Sequence, residues 1–517
     1  MSDPNGRSLR IVFVMSPWQN AFFAELAAVL VDEIGRAGAS AVTTTEPDEF
    51  AVSEDDVFVL MPPHEFVTLE GAGMVDDPVV AARTIGISAE QPHQVFFAAN
   101  ADIGARLGAV IDFSAMAVAA YRERGIRAVH MAFGYTPLWD RFDASSVPTG
   151  PPRVLYFGNK KPRRLEVLAE HAEVLAHQSA RLLVSDNSSP NMESGPTFLV
   201  GDDKRSLLAS TRLLVNIHQG DEPYFEWLRF CEAAMAGAAY LTERSEHCEP
   251  WVAGEQFAVF DRPDMGRAIE ALIDDDAELG RLRRSAYEAV RSRPLSGSVH
   301  VLLEAAEALR SSTPAPERLP ARTRTEPLVG IRPAVVPGTL AARLAPPRRP
   351  GLLGRWRPRR RERPGVGGTT PTPAAMSTPA AVVSSNTATR ATALPGGEML
   401  VAPEGTEFFV GGLERLVGAL HESGADLATG VAVARDGSGR VVLEGVWPWE
   451  TWRLLDGQDL GKVMVVTPAA WAASAEWQAD LRWSTAPHLA VALSVADRGG
   501  RGTHLPTPLC SYPSDER

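Results

Sequence analysis

A basic turn is the first group of residues in this sequence that could do chemistry. After the apolar run VLYFG, the chain continues with Gly158, Asn159, Lys160, Lys161, Pro162, Arg163 and Arg164. A glycine lets the backbone approach a ligand closely, and a basic pair at a strand-to-helix turn suits a diphosphate. A solvated run of charges at a helix start is the alternative. We expect the ligand-binding residues of this turn to be Gly158, Asn159, Lys160, Lys161 and Arg163.

A second group lies in RLLVNIHQGDEPYFEWLRFCEAAMAGAAYLTERS, residues 212–245. The apolar run Leu213–Ile217 predicts a strand buried on both faces, and a helix is expected from about Phe225 to Met235, ending at Gly237. The loop between them therefore lies at the carboxyl end of a strand, in front of a helix amino terminus. Open α/β sheets bind ligands there, and free N–H groups favour an anion.

Glu232 is a single carboxylate inside the apolar helix segment FCEAAMAGAA. Because burying a bare carboxylate is costly, this side chain should face a cleft or a polar partner.

The same stretch resembles the donor-site segment of GT-B glycosyltransferases, most closely the spore-maturation (CgeB-like) group of the large retaining family. Proteins of that group carry an acidic loop, a helix with a glutamate, then Ala/Gly and a strand. The wider family spaces two glutamates eight positions apart, and here the position eight before Glu232 is Tyr224, with Glu222 and Glu226 beside it. The resemblance implies that Glu232 holds the nucleotide ribose.

The resemblance also implies transfer of a sugar from a nucleotide, which requires charge at the departing diphosphate and carboxylates or carbonyls near the sugar ring. Glu222 and Glu226 are the candidate catalytic carboxylates, although an acid such as Glu226 near a helix start also has a purely structural explanation. Arg229 either adds positive charge or pairs with Glu226 at i, i+3. His218 either contacts phosphate or sugar or is a satisfied loop histidine; Tyr224 is a further candidate for binding.

The first third of the chain offers a second set of polar residues after a predicted strand, SAEQPH at residues 88–93. Glu90 and His93 are candidates for contact with the acceptor or the donor sugar. His93 is also a candidate catalytic residue, together with Glu222 and Glu226. The glycine-rich first loop of many GT-B proteins is replaced by Ser16, Pro17, Trp18, Gln19 and Asn20. A helix cap is the simple structural explanation for Asn20.

The elements that must position these residues follow from short apolar runs alternating with helical segments. This alternation predicts doubly wound parallel sheets. The expected fold is α/β, a pair of Rossmann-like domains at 1–145 and 146–310. The resemblance implies that this pair is GT-B-like, with the acceptor on the side of the first domain and the donor on the side of the second. A disordered linker rich in Pro, Arg and Thr at 311–397 and a small α/β module at 398–517 follow. A last helix near 298–309 is expected to pack back across the joint.

The small module weakly resembles the later half of a family 2 GT-A glycosyltransferase. The place of the acidic metal motif holds Ala402, Pro403, Glu404, Gly405 and Thr406, so the paired aspartates are absent. A divalent ion between phosphates needs hard carboxylate oxygens. The resemblance therefore implies a remnant without catalysis.

Composition bounds the remaining possibilities. A formal charge of −13 over 517 residues argues against nucleic acid as the main partner. The start MSDPNGRSLR has no secretory pattern and no apolar run reaches about 18 residues, so a cytoplasmic protein is expected. Three cysteines show no zinc spacing, and Asp202 and Asp203 precede a helix, as N-cap and first-turn acids do. No metal and no cofactor are expected.

The sequence and the resemblance together predict a metal-independent glycosyltransferase that uses a nucleotide-sugar donor and an unknown acceptor (a glycan, a protein or a small molecule). Retention at the anomeric carbon is implied by the resemblance only. A non-catalytic nucleotide-sugar or glycan-binding scaffold is the alternative. The Arg-rich part of the linker, residues 355–363, either makes a weak peripheral contact with anionic membranes or nucleic acid, or is a solvated tether.

Overall fold

The computed structural model describes residues 9–145, 147–187, 190–322, 389–449, 460–479 and 486–514. Three β-sheets are formed within these residues. The predicted Arg-rich segment at 355–363 and most of the predicted linker lie outside the described residues. Among the helices that are described, none is long and apolar enough to cross a membrane.

The first sheet is built from short apolar strands, which suits a parallel sheet covered by helices on both faces. Its strands are β1 (Arg10–Val14), β2 (Ser40–Thr44), β3 (Asp56–Leu60), β4 (Thr84–Ser88), β5 (Ala109–Asp112) and β6 (Ala128–His130). The helices between them are α1 (Ala21–Arg36), α2 (Pro63–Glu70), α3 (Gly73–Asp76), α4 (Pro78–Ala82), α5 (Val95–Gly104) and α6 (Ala115–Glu123), with a 3₁₀ turn at Pro47–Glu49. All neighbouring strands are parallel, in the order β2-β1-β3-β4-β5-β6.

The second sheet repeats this construction. Its strands are β7 (Val154–Asn159), β8 (Arg181–Ser185), β9 (Leu213–Asn216), β10 (Ala239–Glu243) and β11 (Ala258–Phe260). Its helices are α7 (Pro162–Glu170), α8 (Ala172–His177), α9 (Gly201–Ser210), α10 (Trp227–Ala236), α11 (Met265–Ile273), α12 (Asp276–Arg291), α13 (Leu295–Ser298) and α14 (His300–Ser312), with a 3₁₀ turn at Arg262–Asp264. The strands are again parallel, in the order β11-β10-β9-β7-β8. The predicted pair of doubly wound domains is confirmed.

The third sheet is mostly antiparallel. Its strands are β12 (Thr389–Ala393), β13 (Met399–Pro403), β14 (Glu407–Phe408), β15 (Leu427–Arg435), β16 (Val441–Glu444), β17 (Met464–Val466) and β18 (Gly502–Pro513). Its helices are α15 (Gly412–Ser423), α16 (Pro468–Ala473), α17 (Ala475–Gln478) and α18 (Pro487–Asp497). The sheet begins at Thr389, ahead of the predicted boundary at 398. Its likeness to a GT-A remnant stays a prediction.

One local expectation differs from the structure. The helix of the central stretch begins at Trp227, two residues after its expected start near Phe225, because the backbone at Pro223 and Tyr224 pairs with Glu246 after β10.

The first two domains are joined by the segment that follows α12. Tyr135 of the first domain exchanges backbone hydrogen bonds with Arg293 and Leu295, at 2.9 and 2.8 Å. Further on, Arg310 in α14 lies 2.9 Å from the carboxylate of Asp55 before β3. The expected return of the last helix across the joint is confirmed.

The third sheet packs directly on the second domain. Val431, Val433, Leu443 and Trp447 belong to one apolar cluster with Val167 and its neighbours in α7. The Arg440 guanidinium donates to the Glu166 carboxylate (Nε to Oε1, 3.1 Å), and the Thr507 hydroxyl donates to the Ala180 carbonyl at 2.8 Å. The module is therefore docked on the donor-side domain through a shared core.

We predict that Gly134→Ala loosens the joint between the first two domains. A Cβ at position 134 would lie 2.2 Å from the carbonyl oxygen of Arg293, so the backbone must shift. Such overpacking costs about 1–3 kcal/mol, which urea unfolding would measure.

The matched control is Gly35→Ala, since a Cβ at that position in α1 meets nothing within 4 Å. It should leave stability unchanged or raise it by up to about 1 kcal/mol. Equal unfolding free energies for the two variants would contradict the close packing at Gly134.

Candidate functional site between the two parallel sheets

The two arginines of the basic turn point in different directions and each binds a carboxylate. Arg163 makes a bidentate pair with Glu243 at the end of β10, at 2.8 and 2.9 Å, and also donates to Asp221 at 3.0 Å. Arg164, only 3% exposed, donates to Glu226 at 3.0 Å and to the Ile217 carbonyl at 3.0 Å. The first turn of α7 thus fastens the ends of β9 and β10 and the start of α10.

Glu226 precedes α10 and lies at the centre of this arrangement. Besides Arg164, it contacts Arg229, with Oε2 3.7 Å from the guanidinium, and Gln91 of the first domain, whose Nε2 donates at 3.3 Å. Burial alone would raise the pKa of Glu226, but the charges of Arg229 and Arg164 outweigh it and hold the pKa below its ordinary value. Glu226 is therefore an ionised carboxylate, 18% exposed, that bridges both domains.

Arg229 is fixed by its own domain. Its guanidinium donates to the amide oxygen of Asn216 at the end of β9, and it lies 5.0 Å from the centre of the Phe157 ring. The sequence left two interpretations of Arg229 open, and in this structure it pairs with Glu226.

His218 is a satisfied buried histidine. Its backbone N–H donates to Glu243 at 2.6 Å, and its Nε2 lies 2.9 Å from the Ser245 hydroxyl. Burial lowers the pKa of His218, so the ring is neutral at neutral pH. Its predicted contact with phosphate or sugar stays a prediction.

The two lysines of the turn, Lys160 and Lys161, lie near different parts of the molecule. The Lys160 ammonium lies 3.7 Å from the centre of the Trp447 ring in the third module. Lys161 lies close enough to Glu90 of the first domain that its charge lowers the pKa of that carboxyl. Close packing requires glycine at position 158, because a Cβ there would lie 2.6 Å from the Tyr156 hydroxyl. The side-chain oxygen of Asn159 accepts a hydrogen bond from the Arg164 guanidinium at 2.6 Å.

The acidic loop of the second domain touches the first domain at His93. The His93 Nε2 lies 3.4 Å from the Glu222 carboxylate, which is half exposed. A Cβ on Gly220 would lie 2.6 Å from that carboxylate and 3.1 Å from the His93 ring, so the glycine permits the close approach. Glu222 and His93 therefore meet across the cleft, as Glu226 and Gln91 do.

Glu90 and Glu65 form an acidic pair on the first-domain side, after β4 and at the start of α2. Burial, together with the charges of Glu65 and Glu226, raises the pKa of Glu90 to about 7. Burial likewise raises the pKa of Glu65 to about 7, against a hydrogen bond from the Asn20 backbone.

Tyr224, which stands where the resembling family has its first glutamate, is buried and points toward the first domain. Its hydroxyl interacts with the side chain of Ser114, the cap of α6, and burial raises its pKa well above the ordinary value. Tyr224 therefore packs across the joint.

Glu232 has a polar partner, as its apolar setting requires. It forms a buried ion pair with Lys204 of α9, which also lies 3.8 Å from Glu25 of the first domain. Burial raises the pKa of Glu232 and the Lys204 charge opposes that rise. Asp202 and Asp203 lie in the first turn of α9, as predicted.

Several residues of the cleft were missed by the sequence reasoning, namely Arg164, Asn216, Glu243, Gln91, Glu65 and Lys204. Arg164 was visible in the basic turn, but its spacing gives no sign of which arginine faces inward. No group of three or more His, Cys, Asp or Glu side chains suited to a metal ion occurs in the described part of the chain.

Part of the chain is similar to a known protein family. Residues 165–298, inside the second domain, match the family model described as glycosyl transferase-like. The match includes Glu226, Arg229 and Glu232 and bears out the predicted enzyme class for this domain. No curated protein matches the chain.

Solved structures give remote likenesses. HepE of Anabaena in complex with UDP-glucose is 13% identical with a TM-score of 0.38, covering 59% of this chain and 100% of that one. An α-glucosyltransferase in complex with UDP and DNA is 11% identical (TM-score 0.40, 59% and 100% covered). AviGT4, involved in avilamycin A biosynthesis, is 15% identical (TM-score 0.37, 60% and 100%). These TM-scores are too low to assign a ligand to this chain.

We predict that Glu90→Gln stabilises the protein at pH 8 and not at pH 5. The ordinary carboxyl pKa of 4.5 applies to the unfolded chain, whereas the folded value is about 7. As pH rises from 4.5 to 7 the unfolded state therefore loses its proton first, and folding stability falls. Glutamine removes this penalty.

Thermal unfolding at the two pH values tests the prediction, with the exposed Glu123→Gln as control. The melting temperature of Glu90→Gln should exceed that of wild type only at the higher pH. An equal difference at both pH values would show that Glu90 is not held in a raised-pKa setting.

We predict that Glu232→Ala destabilises the fold by about 3 kcal/mol or more, because it leaves the Lys204 charge buried without its partner. The double variant Glu232→Leu with Lys204→Met should recover most of that loss, as measured by urea unfolding.

Nucleotide binding by the double variant then distinguishes the structural ion pair of Glu232 with Lys204 from a contact between Glu232 and the nucleotide ribose. Retained binding would contradict the ribose contact implied by the resemblance, whereas lost binding in a folded protein would support it.

Proposed function

We propose that this protein is a glycosyltransferase that moves a sugar from a nucleotide-sugar donor to an acceptor hydroxyl. The observation that carries the proposal is the bridge across the cleft at Glu226, an ionised carboxylate held by Arg164 and Arg229 and reached by Gln91 of the first domain. The glycosyl transferase-like match over the second domain supports the same function.

The donor diphosphate would lie against Lys161 and the amino terminus of α10. Arg163, Arg164 and Arg229 are each bound to a carboxylate or an amide of their own domain. Lys161 instead lies across from Glu90, where its ammonium is available to a leaving group. Because fixed positive charge and helix N–H groups stabilise a departing diphosphate, we propose that transfer needs no metal ion.

In the proposed transfer, the acceptor oxygen bonds to the anomeric carbon as the bond from that carbon to the diphosphate oxygen breaks. The electron pair of the broken bond leaves with the nucleoside diphosphate, which takes the proton of the acceptor hydroxyl. The negative charge of Glu226 stabilises the positive charge that develops on the sugar ring. Retention at the anomeric carbon, and placement in the CgeB-like group, follow from the sequence resemblance alone.

A nucleotide-sugar-binding scaffold is the second candidate. The observations in its favour are Tyr224 at the position of a family glutamate and the engagement of three arginines by carboxylates or amides. A scaffold would bind the donor without cleaving it.

We predict that one of UDP, GDP, dTDP or ADP, or the corresponding sugar nucleotide, raises the melting temperature. A ligand at about 100 times its dissociation constant stabilises the fold by about 2.7 kcal/mol. Lys161→Ala should weaken that ligand by about 10- to 100-fold, because a charge-assisted contact is lost. The exposed Arg267→Ala, on the same domain, is the control. No shift with any nucleotide in folded wild type would overturn the donor assignment.

Hydrolysis of the same donor without acceptor distinguishes the enzyme from the scaffold. Wild type should release the sugar slowly, and Glu226→Gln should reduce the rate by about 100-fold, as loss of an electrostatic contact to a transition state does. Binding with no hydrolysis and no transfer would favour the scaffold.

A further inference from the structure

The charge on the two faces of the cleft is unequal. The strand-end loops of the first domain at 15–20, 61–65, 89–94, 113–114 and 131–135 contain no lysine or arginine, but they carry Glu65 and Glu90. The turn opposite them carries Lys160, Lys161, Arg163 and Arg164. The first-domain face is therefore suited to a neutral or cationic group and unfavourable for an anion.

Arg322 and Lys161 approach this face from other segments, and neither makes it basic. Arg322 lies 2.7 Å from Glu46 and 3.7 Å from Glu70, so two carboxylates surround it. Lys161 belongs to the proposed diphosphate position.

An exposed aromatic ring lies at the start of α5, the helix that follows the loop of Glu90. Phe96, in the first turn of α5, is 46% exposed, and its neighbour Val95 is 72% exposed. The His64 ring stacks on Phe96 with centroids 4.8 Å apart and an interplanar angle of 20°. Large exposed apolar side chains are costly in water and suit the apolar face of a ligand.

The aromatic pair is held rigidly. The buried Asn100, one turn further along α5, accepts from the His64 backbone N–H at 2.8 Å and lies 3.1 Å from its Nδ1. His64 is followed directly by Glu65, which is in turn close enough to Glu90 to raise the pKa of that carboxyl. No hydrogen-bond donor among the residues described here reaches the Glu90 carboxylate. The Phe96 ring and the carboxyl groups of Glu65 and Glu90 therefore belong to one connected group of side chains.

We propose that the acceptor is an uncharged carbohydrate whose ring stacks on Phe96 and whose hydroxyl groups donate to Glu65 and Glu90. A sugar ring has an apolar C–H face for an aromatic ring and a rim of hydroxyl donors for carboxylates. A phosphorylated or uronic acceptor would instead meet two acidic side chains, with Lys161 assigned to the donor diphosphate. This inference rests on the proposed function and names the acceptor class for the same cleft.

The test uses wild type and the sugar nucleotide that stabilises it, with 4-nitrophenyl glycosides as acceptor probes. One set carries neutral hexoses and pentoses, one carries glucuronide or sugar phosphate, and one carries glucosamine; transfer products are detected by mass spectrometry. Transfer to at least one neutral glycoside, in preference to both charged sets, is expected. Preference for an acidic or an amino sugar, or hydrolysis of the donor with no transfer to any neutral glycoside, would overturn the inference.

Phe96→Ala supplies the second measurement. Loss of one aromatic stacking contact should raise the acceptor KM by about tenfold, and Phe96→Tyr should restore it. Val410→Ala, an exposed apolar residue of the third module, is the control and should leave the KM unchanged. An unchanged KM in Phe96→Ala would overturn the stacking contact.

The nucleotide-induced thermal shift keeps the two proposals apart. If wild type shows neither nucleotide binding nor donor hydrolysis, the glycosyltransferase function fails and the acceptor inference fails with it. If donor binding and hydrolysis are present and the acceptor results are contrary, only the acceptor inference fails.

Discussion

The cleft depends on the pairing of buried arginines with carboxylates at the first turn of α7. A buried guanidinium without a partner would cost several kcal/mol, so each arginine requires an anion in its vicinity. Arg163 pairs with Glu243 at the end of β10, and Arg164 pairs with Glu226 just before α10. These two pairs hold the ends of β9 and β10 and the start of α10 in one arrangement. The charges of Arg229 and Arg164 keep Glu226 ionised beside the first domain.

One consequence is a division of charge between the two domains. The donor-side arginines are neutralised within their own domain, which leaves Lys161 as the cation of the turn that faces Glu90. The first domain, on the opposite side of the cleft, carries the carboxyl groups of Glu65 and Glu90 and the exposed ring of Phe96. An anionic leaving group and an uncharged acceptor would then occupy opposite sides of the same cleft, and Glu226 would lie between them.

The sequence was sufficient for the parts of the fold that depend on local pattern. Runs such as VLYFG and the segment before His218 are short and continuously apolar, as strands covered on both faces must be. Gly237 ends α10 with φ +84, a conformation that favours glycine, and Asn20 caps α1. These features are determined by neighbours in the chain.

Contacts between distant segments could not be predicted in the same way. The start of α10 moved to Trp227 because Pro223 and Tyr224 pair with Glu246, and the buried Glu232 is balanced by Lys204 from another helix. Likewise, nothing near Trp447 in sequence indicates that it covers Lys160. A carboxylate in an apolar helix signals that some partner exists, but the partner is chosen by tertiary packing.

The docking of the third module gives the basic turn a further constraint. Lys160 lies against Trp447 of that module, and Lys161, the next residue, lies across from Glu90 of the first domain. The turn is therefore held from both sides by units other than its own. Coupling between two binding events is reciprocal. If a ligand moves this turn and thereby changes the free energy of docking of the module, docking changes the free energy of ligand binding by the same amount. Such an influence would not require contact between the module and the donor.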